Sequence, residues 1–498
     1  MAGRLSDKAA HLMFGEVAGS LINMATGIVL VRLITPEQMG RWQVLMQLSP
    51  LFVTIFILGL SASVLYFVPR ASAEERGKYI AQTIVGLFFM GVLAAVVLVV
   101  AAPAIAALYN QPDLTGYIRI FSLFVLFQIC VHYTRRLFML YDQTLLAAVM
   151  IMVDSLGMLL CFVVPYFLKF GQDDPIRTAV IFLAVFMACR VAFTTVLALR
   201  DVKPGDFRLS MKRIGRQLEY SAPLGLSTAV PAISNRADKV IMPAYLDAGA
   251  YGVYAIGAKE VPLAGPLAFT ISSVIQPRLA VFHKEGNTDG LVQLWRDATV
   301  RSALMLLPLF AFLMAIADKA FVLLYTEKYA QGVWLFRIYL LMVPLYITMQ
   351  RAVLAAFGRT KFVLLISILQ TVGTIAAAIV MARVIHFYGP AIAVIGMAYL
   401  AMFVLGLRIQ RELRVKWTRI WPVYKVLTIL AVSLLAGVAA WAGARILESR
   451  ILSCLIAAAI MCAVYVPLLF IFRLLDQKDR DLIRQNWQRL KRLLGIAS

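Results

Sequence analysis

Long apolar runs, broken at short intervals by polar clusters, make up most of this chain. Each run is close to the 20 residues a helix needs to cross a ~30 Å hydrocarbon layer. They fall at roughly 12–34, 42–68, 80–101, 118–134, 144–168, 178–199, 220–245, 251–277, 298–317, 333–356, 362–383, 391–407, 423–444 and 451–472. The pattern predicts an all-α polytopic membrane protein of about 14 transmembrane helices.

Composition agrees. Apolar residues make up 62% of the 498 positions, well above the roughly 45–50% of a soluble domain. The formal net charge is +22, and its distribution explains it. With the N-terminus inside, the predicted inner connections carry 30 Lys and Arg and the outer ones 7. That asymmetry is the signature of cytoplasmic loops, so both termini are expected in the cytoplasm of a bacterial inner membrane, and a nucleic-acid partner is not needed.

The five cysteines, Cys130, Cys161, Cys189, Cys454 and Cys462, sit in apolar runs without ligand spacing, and the four histidines are scattered. No metal site or cofactor is expected. The start of the chain, Met1 to Ala10, is polar and its first apolar run is span-length, unlike a cleavable signal.

Two basic segments have apolar positions at helical spacing. In 207–218, Phe207, Met211, Ile214 and Leu218 alternate with Arg208, Lys212, Arg213 and Arg216; in the tail, Ile483, Trp487, Leu490 and Leu494 oppose Arg484, Arg489, Lys491 and Arg492. Both are expected to lie on an anionic membrane surface.

The connections repeat. At an offset of 212, Gly40 meets Gly252 and Trp42 meets Tyr254; Pro69-Arg70 recurs as Pro277-Arg278; and at 216, Arg135, Thr144 and Gly157 meet Arg351, Thr360 and Gly373. Features recurring in order at equivalent places predict two six-span repeats. Six is even, so the repeats run parallel, around a central cleft suited to alternating access. The expected organisation is an N-terminal six-helix bundle over 1–199, a cytoplasmic amphipathic linker over 200–219, a C-terminal bundle over 220–410, an extra transmembrane pair over 411–472 and a basic amphipathic tail over 473–498.

The segments RLITPEQMGRW, LEYSAPLGLS and DAGAYGVYAIGAKEVPLAGPLAFTISSVIQPRL resemble the polysaccharide-transporter, or oligosaccharide-flippase, branch of the multidrug/oligosaccharidyl-lipid/polysaccharide exporter superfamily. The resemblance covers most of 10–410. It implies a flippase that moves a polyprenyl-diphosphate-linked oligosaccharide to the periplasmic leaflet, working with a polysaccharide polymerase and export machinery.

Ionisable residues inside spans cost upward of ~2.5 kcal/mol on insertion and should face a cavity or a partner. Span 7 carries Arg236, Asp238 and Lys239, and span 8 carries Lys259 and Glu260. Counting back from the outer turn matches Arg236 with Glu260 and Asp238 with Lys259 in depth, about 15 Å along a helix at 1.5 Å per residue. Three cations against two anions leave a surplus suited to a diphosphate; the competing reading is a set of structural ion pairs. Pro223, Pro231, Pro243, Pro262, Pro266, Gly225, Gly257 and Gly265 interrupt these spans, as in bent helices that line cavities.

The equivalent positions in the first repeat, Met24, Gly27, Gln47 and Leu48, are uncharged, so the cleft should be lopsided. Span 1 supplies Asn23 and Arg32 as further candidate substrate contacts, and Glu16 as a group that either titrates or pairs with a cytoplasmic base. Asp154 and Arg190 lie at matching depth in spans 5 and 6. A buried salt bridge is expected there, with proton or sodium coupling through Asp154 as the alternative.

Within the same fold, a lipid II flippase and a cation-coupled drug antiporter stay open; surplus cations suit an anionic lipid better than a cationic drug. A membrane-embedded glycan polymerase is the reading from another class. The longest predicted outer loops, 102–117 and 318–332, are too short for a catalytic domain, and no catalytic constellation is evident. The chain reads as a transporter, not an enzyme.

Overall fold

A computed structural model describes residues 2–199, 202–208, 210–261 and 264–474. The amphipathic tail expected over 473–498 lies almost wholly outside the described residues. Those described form helices joined by short turns, with no strand among them.

In chain order the helices are α1 (Ala2–Leu33), α2 (Pro36–Ile57), α3 (Leu60–Phe67), α4 (Ala73–Leu108), α5 (Leu114–Val131), α6 (Thr134–Leu140) and α7 (Thr144–Phe167). Then come α8 (Pro175–Ala198), α9 (Met211–Ser234), α10 (Ala237–Ile241), α11 (Ala248–Gly257), α12 (Ala264–Lys284) and α13 (Thr288–Tyr325). The chain continues through α14 (Gly332–Leu340), α15 (Gln350–Ala356), α16 (Thr360–Val384), α17 (Gly389–Leu413), α18 (Trp417–Ile420), α19 (Val423–Arg445) and α20 (Arg450–Ile471).

Among the described residues 11 helices are long and apolar enough to cross a membrane, and the bent pair Pro36–Ile57 and Leu60–Arg70 makes a twelfth. The expected count of 14 is not reached, because the segments expected as spans 7 and 8 are broken. The first divides into α9 and α10 at Asn235 and Arg236; the second stops at Gly257 and resumes at Ala264. These two segments hold Arg236, Asp238, Lys239, Lys259 and Glu260 and six of the 19 prolines.

The segment 207–218 is not a separate surface helix. Its second half is the start of α9, and Gln217 on it is buried, its amide donating to Ser63 at 3.2 Å and Thr83 at 3.1 Å.

The chain divides into two compact units that cut across the second repeat: one takes the chain up to 266, 325–339 and 359–404; the other takes 267–324, 340–358 and the chain from 405. In the first, α1 lies against α7 through a pair of small residues four apart. A methyl on Gly15 would fall 2.7 Å from the Ala148 Cα, and one on Gly19 2.9 Å from Ile151. Such spacing lets membrane helices approach backbone to backbone.

The repeat is visible in local structure. Thr35 caps α2 by accepting from the Gln38 N–H, and Asp247, 212 positions on, caps α11 by accepting from the Ala250 N–H at 2.8 Å. Thr144 and Thr360 each open a helix, α7 and α16. Gly157 and Gly373 each receive the tip of a side chain from the next span, Phe186 and Met397.

In the second unit the extra pair α19 and α20 is tied to α13. Lys319 donates to the Ala444 and Leu447 carbonyls and to the Ser453 hydroxyl. The cation thereby satisfies carbonyls at the end of α19, where a positive charge is favoured. Tyr465 adds a bond to the Leu304 carbonyl at 3.0 Å.

Candidate functional site

The break after α9 builds the site. Pro231 removes one rung of the helix. The Val230 carbonyl accepts from Thr371 of α16 at 3.0 Å, and α9 then ends at Ser234. The following helix, α10, is only 5 residues long, too short to satisfy its own backbone. Two tyrosines complete it: Tyr251 donates to the Lys239 carbonyl at 2.8 Å and Tyr109 to the Val240 carbonyl at 2.9 Å. Burial pushes the Tyr109 phenol up to about 12, so it remains a donor throughout the physiological range.

Around this break lies a cavity of about 500 Å³, lined by Arg236, Lys239, Lys259 and Glu260 together with Gln43, Gln47, Asn235, Ala232 and Ala255. The structure therefore brings Arg236, Lys239, Lys259 and Glu260 to one place. Asn23 and Arg32 are exposed on α1 and do not line it. Arg32 donates to the Ile28 carbonyl of its own helix at 2.6 Å.

The pairing expected from depth is not what forms. Asp238 is fully buried and accepts from the hydroxyls of Tyr254, at 2.8 Å, and Tyr339. Arg236 donates to the Gln47 amide oxygen at 2.9 Å and has no carboxylate within ion-pair distance among the described residues. Depth matching fails because it assumes two unbroken helices, whereas the first is interrupted between Ser234 and Ala237 and the second stops at Gly257.

The lysines are left to aromatic rings. The Lys239 ammonium sits 4.8 Å from the centre of the Tyr339 ring, and that of Lys259 5.6 Å from the Tyr325 ring, within cation–π range. Neither ammonium makes a hydrogen bond or ion pair among the described residues. Lys259 reaches across to α1, where its Nζ fills the space that a side chain at Gly27 would need. The second repeat thus presents cations and the first presents Gly27 and Gln47, the lopsidedness expected from sequence.

Sequence reasoning missed Asp238's phenol partners. The signal available for Tyr254 was its place in a pair of tyrosines at i and i+3, Tyr251 and Tyr254, just after the turn at Asp247. Only folding shows that they face α10.

Two further charged pairs lie in the first repeat. Arg190 donates from Nε to Asp154 at 2.9 Å, and Arg135 pairs with Glu16 at 2.5 Å.

With 11 or 12 candidate spans among the described residues, and two further broken segments beside a cavity lined by three cations and one carboxylate, the chain is a multi-pass membrane protein. A family model described as polysaccharide biosynthesis protein matches residues 29–334. The chain belongs to that family, within the multidrug/oligosaccharidyl-lipid/polysaccharide exporter superfamily.

Solved structures share its fold. The lipid II flippase MurJ in an inward closed conformation is similar at a TM-score of 0.74 and 15% identity, over 96% of this chain and 99% of that one. An inward-facing multidrug resistance transporter of the MATE family gives 0.61 and 15%, over 82% and 98%. A mutant MATE transporter from Vibrio cholerae gives 0.54 and 18%, over 84% and 98%. No curated protein matches the chain in sequence.

Proposed function

We propose that this protein moves a polyprenyl-diphosphate-linked oligosaccharide across the bacterial inner membrane for polysaccharide export, by alternating access with both termini in the cytoplasm. Family membership supports a lipid-linked substrate, and the fold supports a transporter.

The observation that carries the reading is the pair Lys239 and Lys259. Each is an ammonium in a cavity of about 500 Å³ with no carboxylate within ion-pair distance among the described residues. Desolvated cations without counterions are costly, and a diphosphate entering the cavity would supply the missing charge. Arg236 offers a planar fork to phosphate oxygens, and the lysines act as point charges. Glu260 on the same lining keeps the surplus modest, which favours release as well as capture. The lipid tail would stay in the bilayer while the head group crosses.

Lipid II is the alternative cargo, and the MurJ-like fold favours it equally; the cavity recognises the diphosphate that both carriers share. Depletion of the protein, followed by leaflet-resolved measurement of polyprenyl-diphosphate glycans, tests the reading. Accumulation in the cytoplasmic leaflet is expected. An unchanged distribution rejects transport of this class, and accumulation of lipid II alone assigns the other cargo.

A further inference from the structure

A second cavity, of about 520 Å³, lies inside the first repeat between α3, α5, α6, α7 and α8. It is separate from the cavity of Lys239 and Lys259 and shares no lining residue with it. Its polar lining includes Gln128, Thr134, Arg135, Arg136, Asp154 and Arg190.

The charges there are incompletely answered. Arg190 is 6% exposed and spends its Nε on Asp154, yet its Nη1 is buried without an acceptor. Thr134, 2% exposed, has a buried hydroxyl with no partner. Arg136 makes no hydrogen bond or ion pair among the described residues. Arg135 is answered by Glu16, and Arg190 by Asp154, which leaves one whole positive charge and two buried donors unmatched. A buried donor left without an acceptor is costly. A structural ion-pair network would satisfy them; this one stops short.

We infer that this cavity binds a phosphate ester. The unmatched groups are a guanidinium, a second guanidinium nitrogen and a hydroxyl; all three belong to residues lining this cavity, and donors of these kinds suit phosphate oxygens. The rest of the lining points to what carries that phosphate. Met139, Met150, Met187 and Ile151 give an apolar, pliable wall beside the donors, suited to a hydrocarbon chain. Charge asymmetry puts Arg135 and Arg136 at the cytoplasmic ends of their spans, where anionic lipid head groups are met. The ligand class is therefore a phosphate monoester, borne by a lipid or free. The site stands whether or not the cavity of Lys239 and Lys259 carries a head group.

The test uses the full chain in detergent micelles with Arg236→Gln, Lys239→Gln and Lys259→Gln already introduced, so that the cations of the other cavity contribute no binding. Native mass spectrometry then measures retention of a polyprenyl monophosphate, of diacylglycerol as a neutral lipid, and competition by inorganic phosphate. One tightly held polyprenyl monophosphate is expected, weakened about tenfold by Arg136→Gln, as for loss of one charge-assisted bond. Arg136 has no hydrogen-bond or ion-pair partner among the described residues, so its variant should unfold at the parent temperature; Arg190→Lys, which keeps the charge on Asp154, supplies a second variant with the same direction. Competition by inorganic phosphate would show that the ester alone is recognised, and lack of competition that the lipid chain is part of the ligand. Equal retention of diacylglycerol, or polyprenyl monophosphate binding unmoved by both variants, overturns the proposal.

Discussion

Gly40 and Gly252 face each other at the ends of α2 and α11 with no side chain between them: a methyl on Gly40 would run into the Ala248 carbonyl, and one on Gly252 into the Pro36 carbonyl. The contact is reciprocal, since Pro36 and Ala248 are themselves 212 positions apart. Reciprocity of that kind is what a two-fold relation produces. The two repeats therefore meet at these turns through their own equivalent residues.

Gly40→Ala and Gly252→Ala should each destabilise the purified protein by about 1–3 kcal/mol, the usual cost of overpacking against backbone. Thermal unfolding in detergent measures this. Gly116→Ala, where a methyl would meet nothing within 4 Å, should be neutral or stabilising by up to about 1 kcal/mol.

Gly27→Ala should cost little stability and much transport. The atom it displaces is the far end of the Lys259 side chain, which can swing away, but not without leaving its place in the cavity. In a Lys259→Ala background the same change should add nothing further, a double-mutant cycle readable from export rates.

Tyr254→Phe and Tyr339→Phe each remove one of the two hydroxyls that Asp238 accepts from. Each should destabilise by about 1–3 kcal/mol, the cost of a buried polar group left short of a partner. Asp238→Asn, which keeps an acceptor oxygen, should be milder than Asp238→Ala; chemical denaturation of the purified variants compares them.

Asp154→Ala should destabilise by about 3 kcal/mol, the low end for a buried pair because the carboxylate is 37% exposed while Arg190 is 5%. The double variant Asp154→Ala with Arg190→Ala should lose less than the two single losses added together. A stable Asp154→Ala protein whose transport no longer responds to proton or sodium gradients would instead assign Asp154 to coupling.

Much of this was legible from apolar runs, basic asymmetry and turn residues. Gly40 with Gly252 is legible at the right offset, and so is the uncharged character of Gly27 and Gln47 as the repeat equivalents of Lys239 and Lys259; that Gly27 faces Lys259 and Gln47 faces Arg236 is not. The breaks at Asn235 and after Gly257 were not placed, because proline and glycine mark a weakened helix without saying where it parts. Asp238's partners escape for the same reason: a depth rule along unbroken helices points to Lys259, whereas the carboxylate accepts from Tyr254 and Tyr339. Gln217 reads as part of an amphipathic surface helix, yet folding buries it, since periodicity gives a helix face but not the element it meets.

Purified protein in sealed vesicles, loaded with a fluorescent polyprenyl-diphosphate oligosaccharide in one leaflet, tests the central claim most directly. The parent should equalise the leaflets, and the Arg236→Gln, Lys239→Gln and Lys259→Gln triple variant should fall to the rate of empty vesicles while keeping its unfolding temperature. Transport at the parent rate by that folded triple variant would contradict the account.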